Sequence, residues 1–160
     1  MQNSTVSILQ RVKRLPAGLR IFSRLVTFKA PYFSSIRPVF LELEPGYARA
    51  RISNRRSVRN HLGTVHAIAM ANLCEFVGGT LMEVSIPPDM RWIPKGMTIR
   101  YLGLAKTAVT AECRLDRWDW NETQDVIMEL KVTDKSGTVV SEASIPMYVS
   151  PRTRGKEKAA

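Results

Sequence analysis

The chain has 160 residues, 44% of them hydrophobic and 24% charged, as expected for one globular domain. Its formal net charge of +10 lies at the two ends. Residues 1–41 hold seven Lys/Arg and no acid, residues 151–160 hold four against one, and residues 42–150 hold 13 of each. Residues 42–150 therefore have no net charge and do not form a basic surface for nucleic acid, so we expect no nucleic-acid partner. No uninterrupted apolar run approaches the ~18 residues of a membrane span.

Residues 4–29 predict a helix in two pieces, because Pro16-Ala17-Gly18 interrupts the pattern. Apolar residues at spacings of three and four share one predicted face: Ile8, Val12, Leu15, Leu19, Phe22 and Val26. Arginine and lysine supply the polar side. We expect a helical arm over residues 1–35 that packs on the domain or on a neighbouring subunit. The alternative is contact with an anionic membrane surface through residues 1–30.

Residues 38–53 predict a β-hairpin with a turn at Pro45-Gly46. Val39, Leu41 and Leu43 are expected on one face of its first strand. From Lys95 onward the apolar period is two, which predicts four further strands near residues 97–101, 109–115, 126–132 and 139–145. Short loops, such as the turn at residues 134–137, indicate an antiparallel meander.

Residues 64–82 predict the central helix. One face carries apolar residues at helical spacing, and the opposite side is small or apolar, so the helix should be buried nearly all round. Gly78-Gly79 should weaken or end it. The whole pattern predicts an α+β fold, in which an antiparallel sheet of about six strands wraps around one long helix. The predicted organisation is a domain over residues 36–150 and a basic disordered tail over residues 151–160.

Two cysteines, Cys74 and Cys113, are far apart and belong to no CxxC pair. We interpret them as small buried hydrophobic residues of a reducing cytosol, so the predicted location is cytoplasmic. With only two histidines in the chain, a zinc site is not expected, and we predict neither a metal nor a separate cofactor.

The most informative segment is a polar loop followed by an acid within an apolar run. Asn60 precedes His66 by six residues, and Glu75 follows His66 by nine. Glu75 is the sole carboxylate between Glu44 and Glu83. We expect it to be buried, which would raise its pKa and suit it to act as a base.

Asn60, Gly63, His66 and Glu75 match the spacing Asn-x-x-Gly-x-x-His with an acid nine residues later. This pattern resembles the hotdog-fold acyl-CoA thioesterases, above all the phenylacetate-type branch and related uncharacterised bacterial thioesterase-like proteins. The resemblance covers residues 36–150. It implies the hotdog fold and hydrolysis of an acyl-CoA thioester, with coenzyme A as part of the substrate. It also implies a site shared between subunits of a homodimer or homotetramer.

The resemblance implies that Glu75 activates water, that Asn60 orients it, and that the Ala67 N–H at the helix start binds the oxyanion. His66 either takes part in the chemistry or is a structural histidine bonded to the backbone. The family usually has Gly-Gly where this chain has Ala67-Ile68, whose side chains narrow the approach. Binding of an acyl-CoA or fatty acyl group without turnover is therefore the alternative function. Hydration or dehydration of an acyl thioester is a third.

Three arginines before the loop, Arg55, Arg56 and Arg59, have no acid beside them in the sequence and suit the phosphates of coenzyme A. The alternative is a solvated strand edge. Gly63 belongs to the same predicted substrate site. Asn72 lies one turn before Glu75, where it would either hydrogen-bond that acid or be a satisfied core amide.

Overall fold

The computed structural model describes residues 4–116, 119–120 and 122–152. Within these residues the helices are α1 (Ser4–Lys13), α2 (Gly18–Lys29) and α3 (Ala67–Ser85), with 3₁₀ turns at Pro31–Ser35 and Arg56–Val58. The strands are β1 (Val39–Glu44), β2 (Tyr47–Ile52), β3 (Met90–Pro94), β4 (Thr98–Tyr101), β5 (Val109–Arg114), β6 (Gln124–Thr133) and β7 (Val139–Pro151).

The described strands form one antiparallel sheet in the order β1-β2-β5-β6-β7-β3. β4 pairs with the first part of β7, on the edge that β3 occupies further along. The prediction of an antiparallel sheet around one helix is confirmed, with seven strands instead of about six. β3 was missed because it is short, mostly exposed and ends in Pro94, so no alternating apolar pattern marks it.

The sheet wraps around α3, of whose 19 residues 13 are buried. This helix is long and apolar enough to cross a membrane, but 72% of the relevant window is buried inside the protein, as in a core helix. Of the two expected effects of Gly78-Gly79, weakening or ending the helix, the second is wrong, because α3 continues to Ser85. The glycines serve packing instead: a Cβ on Gly79 would lie 3.0 Å from Cη2 of Trp92.

The hairpin of β1 and β2 is confirmed, but the expected alternation within β1 is not. The register shifts between Phe40 and Glu42, as in a β-bulge. Phe40 and Leu43 are buried as a result, whereas Leu41 is 38% exposed. Phe40 stacks on Phe76 of α3 with ring centroids 4.6 Å apart, so the bulge fixes which side of β1 meets the central helix.

The N-terminal arm packs against the domain in two places. Phe22 of α2 contacts Phe40 at 6.3 Å between ring centroids, and Phe33 meets Phe76 edge-on at 5.4 Å. The expected single apolar face is wrong for α1, where Val6 and Leu9 are buried while Ile8 is 46% exposed. Ala17 adopts a left-handed backbone with φ of 57°, so α1 does not continue the face of α2.

The strand β7 extends beyond its expected end. Pro151 is its last residue, and the backbone N–H of Arg152 donates to the carbonyl of Asp89 at 2.8 Å. The Arg152 Nε also donates to the carbonyl of Met90 at 2.9 Å. The expected disorder is therefore wrong for these two residues, and the rest of the predicted tail, residues 153–160, lies outside the described residues.

Replacing Gly79 by alanine should destabilise the protein by roughly 1–3 kcal/mol, because the added methyl group overpacks against Trp92. The Trp92 ring cannot retreat freely, since its Nε1 donates to Glu83 at 2.9 Å. The matched control is Gly78→Ala, whose Cβ would lie 3.5 Å from Ile145 in an ordinary contact. Urea unfolding of both variants checks this. Equal stability of the two would contradict the packing explanation.

Candidate active site

The loop before α3 folds back on itself and places its polar residues beside the helix start. The N–H of His66 donates to the carbonyl of Val58 at 2.8 Å, and the N–H of Asn60 donates to that of Thr64 at 2.9 Å. An isolated antiparallel bridge joins Arg59 to Val65. These bonds make residues 58–66 a compact hydrogen-bonded loop that ends at the N-terminus of α3.

Asn60 organises this loop through its side-chain oxygen. Oδ1 accepts from the N–H of Leu62 at 3.0 Å, the N–H of Thr64 at 3.2 Å and the Thr64 hydroxyl at 3.1 Å. Within the described part of the chain its Nδ2 has no hydrogen-bond partner. The Asn60 Oδ1 thus stabilises the loop, while the N–H groups of its Nδ2 remain available to a ligand.

Gly63 and Asn54 complete the loop. Gly63 has φ of +76°, a left-handed conformation that favours glycine. The Asn54 side chain, which sequence reasoning missed, donates to the carbonyls of Lys106 at 2.8 Å and Gly63 at 3.3 Å. Its Oδ1 accepts from Arg59 Nε at 2.7 Å. A turn-type Asn ahead of the arginine cluster is the signal that could have indicated this clamp.

His66 is the N-cap of α3. Its Nδ1 accepts from the N–H of Ile68 at 3.1 Å, and its carbonyl accepts from those of Ala69 and Met70. The N–H of Ala67 has no partner among the described residues. Because a helix N-terminus carries partial positive charge, this N–H is a donor suited to an anionic oxygen.

Glu75 is exposed on the single chain, so the expectation of a buried acid is wrong. It lies on the open stripe of α3, the side of the helix that the sheet leaves uncovered. Exposed Ile68 is seven residues before it, about two helical turns, and half-buried Ala71 lies between them. Of the two alternatives for Asn72, the bond to Glu75 is absent from the hydrogen bonds of the described residues, and the core amide is only partly satisfied. Asn72 is instead 6% exposed and donates to Ser35 Oγ at 3.3 Å, while its Oδ1 is buried without a partner.

An open cavity of about 380 Å³ lies beside the start of α3. It brings together His66, Ile68 and Asn72 with Arg59 and with Tyr32 from the N-terminal arm. The unpartnered Oδ1 of Asn72 belongs to a residue that lines this space. The cavity therefore offers apolar surface next to the polar residues of the loop.

The three predicted arginines differ in their surroundings. Arg55 donates from Nη2 to the carbonyl of Ser35 at 2.7 Å, and burial together with the nearby Arg37 guanidinium lowers the pKa of Arg55. Arg59 and Arg56 are both exposed, but Arg59 donates to the Asn54 side-chain oxygen at 2.7 Å and to the Asn54 carbonyl at 3.1 Å. Arg55 and Arg59 thus help to build the loop, whereas the side chain of Arg56 has no hydrogen bond or ion pair to another described residue.

An exposed apolar surface surrounds the open stripe. The Tyr101 hydroxyl donates to the carbonyl of Ala67 at 3.3 Å, so the end of β4 lies against the helix start. The exposed apolar side chains of this region are Leu62, Ile68, Tyr101, Leu102 and Leu104, at 45–62% exposure. Contiguous apolar surface of this kind is typical of a protein–protein interface.

The two cysteines are buried and free. Burial is the main cause that raises the pKa of the Cys74 thiol to about 12, and it raises that of Cys113 to about 12 as well. Neither thiol is therefore a nucleophile at neutral pH. Among the described residues no group of three or more His, Cys, Asp or Glu is placed to hold a metal ion.

A seven-stranded antiparallel sheet around one long helix, with a polar loop at the helix N-terminus, defines a protein of the hotdog fold. Residues 18–149 match the family model described as Domain of unknown function (DUF4442), and the chain belongs to this family. No curated protein matches the chain.

Solved structures support the same fold. A structural-genomics target of known crystal structure is 39% identical, with a TM-score of 0.81, over 92% of this chain and 99% of that chain. A Pseudomonas aeruginosa protein of unknown function, described as a probable thioesterase, is 28% identical with a TM-score of 0.75 over 86% and 97%. A Haemophilus influenzae thioesterase at 10% identity shares the fold, with a TM-score of 0.69 over 79% and 87%.

Replacing Asn60 by alanine should destabilise the protein by about 1–2 kcal/mol, because two N–H groups and a hydroxyl lose their acceptor. Asn60→Asp should retain most of that stability, since a carboxylate oxygen accepts the same bonds. Urea unfolding of both variants at pH 7 measures the difference. The structural role assigned to Oδ1 would be refuted by two equally destabilised variants.

Proposed function

We propose that the protein hydrolyses an acyl-CoA thioester at a site formed between two copies of the chain. The observation that carries this proposal is the unpartnered N–H of Ala67 at the positive end of α3, on a helix that also exposes Glu75 on its open stripe. The first can stabilise an oxyanion and the second can accept a proton. The description of the Pseudomonas aeruginosa relative as a probable thioesterase supports the same chemistry.

The spacing on α3 favours a site shared by two chains. Ala67 and Glu75 are eight residues apart, or about 12 Å along the helix axis, too far to act on one carbonyl within one chain. Ala71 lies midway, four residues from each. If a two-fold axis passes near Ala71, an antiparallel second α3 brings its Ala67 opposite this Glu75. The small side chain of Ala71 permits such a close approach.

The surface around this axis suits association. The exposed apolar residues near the helix start would be covered by the second copy, and burial of apolar area favours dimer formation. A dimer also accounts for an exposed acid in a single chain, because the partner's loop would form the other wall. Further pairing of dimers into a homotetramer is compatible with the same interface.

The proposed reaction needs no cofactor. The Glu75 carboxylate takes a proton from water as the water oxygen bonds to the thioester carbon. The resulting oxyanion accepts the N–H of the other chain's Ala67, and the amide of Asn60 orients the water or the carbonyl. The C–S bond then breaks, the thiolate of coenzyme A takes the proton from Glu75, and a free carboxylic acid is released.

Binding of the substrate is assigned to the loop and its arginines. Arg56, together with Arg55 and Arg59, would attract the phosphates of coenzyme A, and Gly63 keeps the loop tip free of a side chain. We place the reaction in the cytoplasm, where acyl-CoA is available. Contact of the arm with a membrane surface is compatible with this function and does not depend on it.

Binding of an acyl-CoA without turnover is the second candidate, and one feature favours it. The Ile68 N–H is already bonded to His66, and the Ile68 side chain, 58% exposed, lines the cavity at the helix start. The oxyanion would therefore have a single backbone donor in a narrowed approach. Tight acyl-CoA binding without thiol release, measured by calorimetry alongside a thiol assay, would favour this alternative.

Replacing Glu75 by glutamine should reduce thiol release from acyl-CoA at least about 100-fold, because the proton acceptor is removed while the shape is kept. The substrates are short, long and aromatic acyl-CoAs. The matched control is Glu44→Gln, an exposed acid at the end of β1. Hydrolysis at the native rate by the Glu75 variant would remove the proposal.

Mixing inactive variants tests whether the site is shared. In a heterodimer of Glu75→Gln and Asn60→Asp chains, one site carries both changes and the other carries neither. Unfolding and refolding the mixture should therefore restore about one quarter of the native activity. Each variant refolded alone is the control. No recovery, although heterodimers form, would place Asn60 and Glu75 of one site on the same chain.

A further inference from the structure

The helix α2 has an inward face that is firmly attached to the domain. Ser23, 1% exposed, accepts from the backbone N–H of Phe40 at 2.9 Å and donates to the carbonyl of Leu19 at 2.7 Å. Phe22 is 2% exposed against Phe40. The fold is thus secured through this face, and the opposite face of α2 is presented in a fixed orientation.

The opposite face of α2 carries three large apolar side chains that are exposed and do not belong to the core. Ile21, Leu25 and Phe28 follow the spacing i, i+4, i+7 and are 38%, 45% and 88% exposed. The described chain leaves all three partly or mostly uncovered, and Phe28 is the most exposed large hydrophobic residue described. We call these three residues the α2 stripe.

Beside the α2 stripe lies a pocket of about 560 Å³ lined by three arginines, Arg20, Arg24 and Arg37. None of them has an ion pair with a described acid, and the first 41 residues contain no acid. The cations are crowded, since the Arg37 guanidinium contributes to lowering the pKa of Arg55. Arg37 also holds a left-handed backbone, with φ of 49°. Uncompensated arginines in one pocket fit a phosphate group.

The exposed apolar side chains and the nearby arginines together indicate which kind of partner binds this face of α2. A second copy seated on the α2 stripe by two-fold symmetry would bring the two sets of arginines together, and like charges would oppose it. Nucleic acid would use the arginines but leave the three apolar side chains in water. An anionic bilayer satisfies both, because apolar side chains enter the acyl region while cations meet lipid phosphates.

We propose that the outward face of α2 docks on an anionic lipid bilayer, with the α2 stripe inserted and Arg20, Arg24 and Arg37 bound to lipid phosphate. Tyr32, which is 70% exposed and lies four residues after Phe28 in the 3₁₀ turn that follows α2, lines the cavity beside α3. Docking through this face therefore brings that cavity close to the membrane surface.

The test is co-sedimentation of the full chain with vesicles of phosphatidylcholine alone or with about 30% phosphatidylglycerol. The native protein should bind the anionic vesicles and not the neutral ones. Arg20→Gln/Arg24→Gln should weaken binding about 10- to 30-fold, as expected for two interfacial charges. The matched control, Lys131→Gln/Lys135→Gln, removes the same net charge from exposed positions on β6 and the following hairpin turn.

A second pair of variants tests the apolar contribution. Leu25→Ser should weaken binding about 10-fold or more, because one inserted apolar side chain is lost. Its control is Ile127→Ser, whose side chain on β6 has a similar exposure of 43%. Both positions are exposed, and circular dichroism verifies that each variant is folded.

Three results would overturn the proposal. They are no binding to anionic vesicles, equal losses in the variants and their controls, and a lipid-free change in oligomeric state caused by Leu25→Ser, which would make the stripe a self-interface. The readout is independent of catalysis. Glu75→Gln should bind vesicles normally, and Leu25→Ser should release thiol from soluble acyl-CoA at the native rate.

Discussion

The structure depends on one constraint, which is that α3 is apolar nearly all round and must be covered. The sheet curls around it and the arm adds Phe33, which packs edge-on against Phe76, so 13 of its 19 residues are buried. What remains open is a narrow stripe through Ile68, Ala71 and Glu75. The same packing that stabilises the fold therefore determines where a polar group of this helix can reach a substrate or a second chain.

The sequence predicted those parts of the fold that are set by local periodicity. The alternating apolar residues of β5 and β6 are buried as expected, because each strand has one face against α3. It could not predict the bulge that exposes Leu41, which arises from pairing with β2. Nor could it show that Gly79 makes room for Trp92, since that contact joins α3 to a strand whose own pattern is weak.

The sequence predicted that a polar loop leads into the buried helix, but not what the side chains of that loop contact. The spacing predicted Asn60 and His66 at the start of the central helix and Glu75 further along it, and the structure shows what Asn60 and His66 contact within their own chain. Asn60 and His66 both bond to backbone N–H groups, so their places in the sequence have a structural reason beside any role in chemistry. Glu75 was expected to be buried because its neighbours are apolar, yet it lies on the open stripe of α3, and no local pattern shows which side of a largely apolar helix the sheet leaves uncovered.

The two buried thiols can report on local unfolding in which the sheet separates from α3. With a pKa of about 12 for each, only about one thiol in ten thousand is ionised at pH 8, and both are at most 2% exposed. Alkylating reagents therefore reach Cys74, on α3, and Cys113, on β5, when the sheet parts from the helix. The rate of cysteine modification would therefore measure local unfolding of the core without any introduced label.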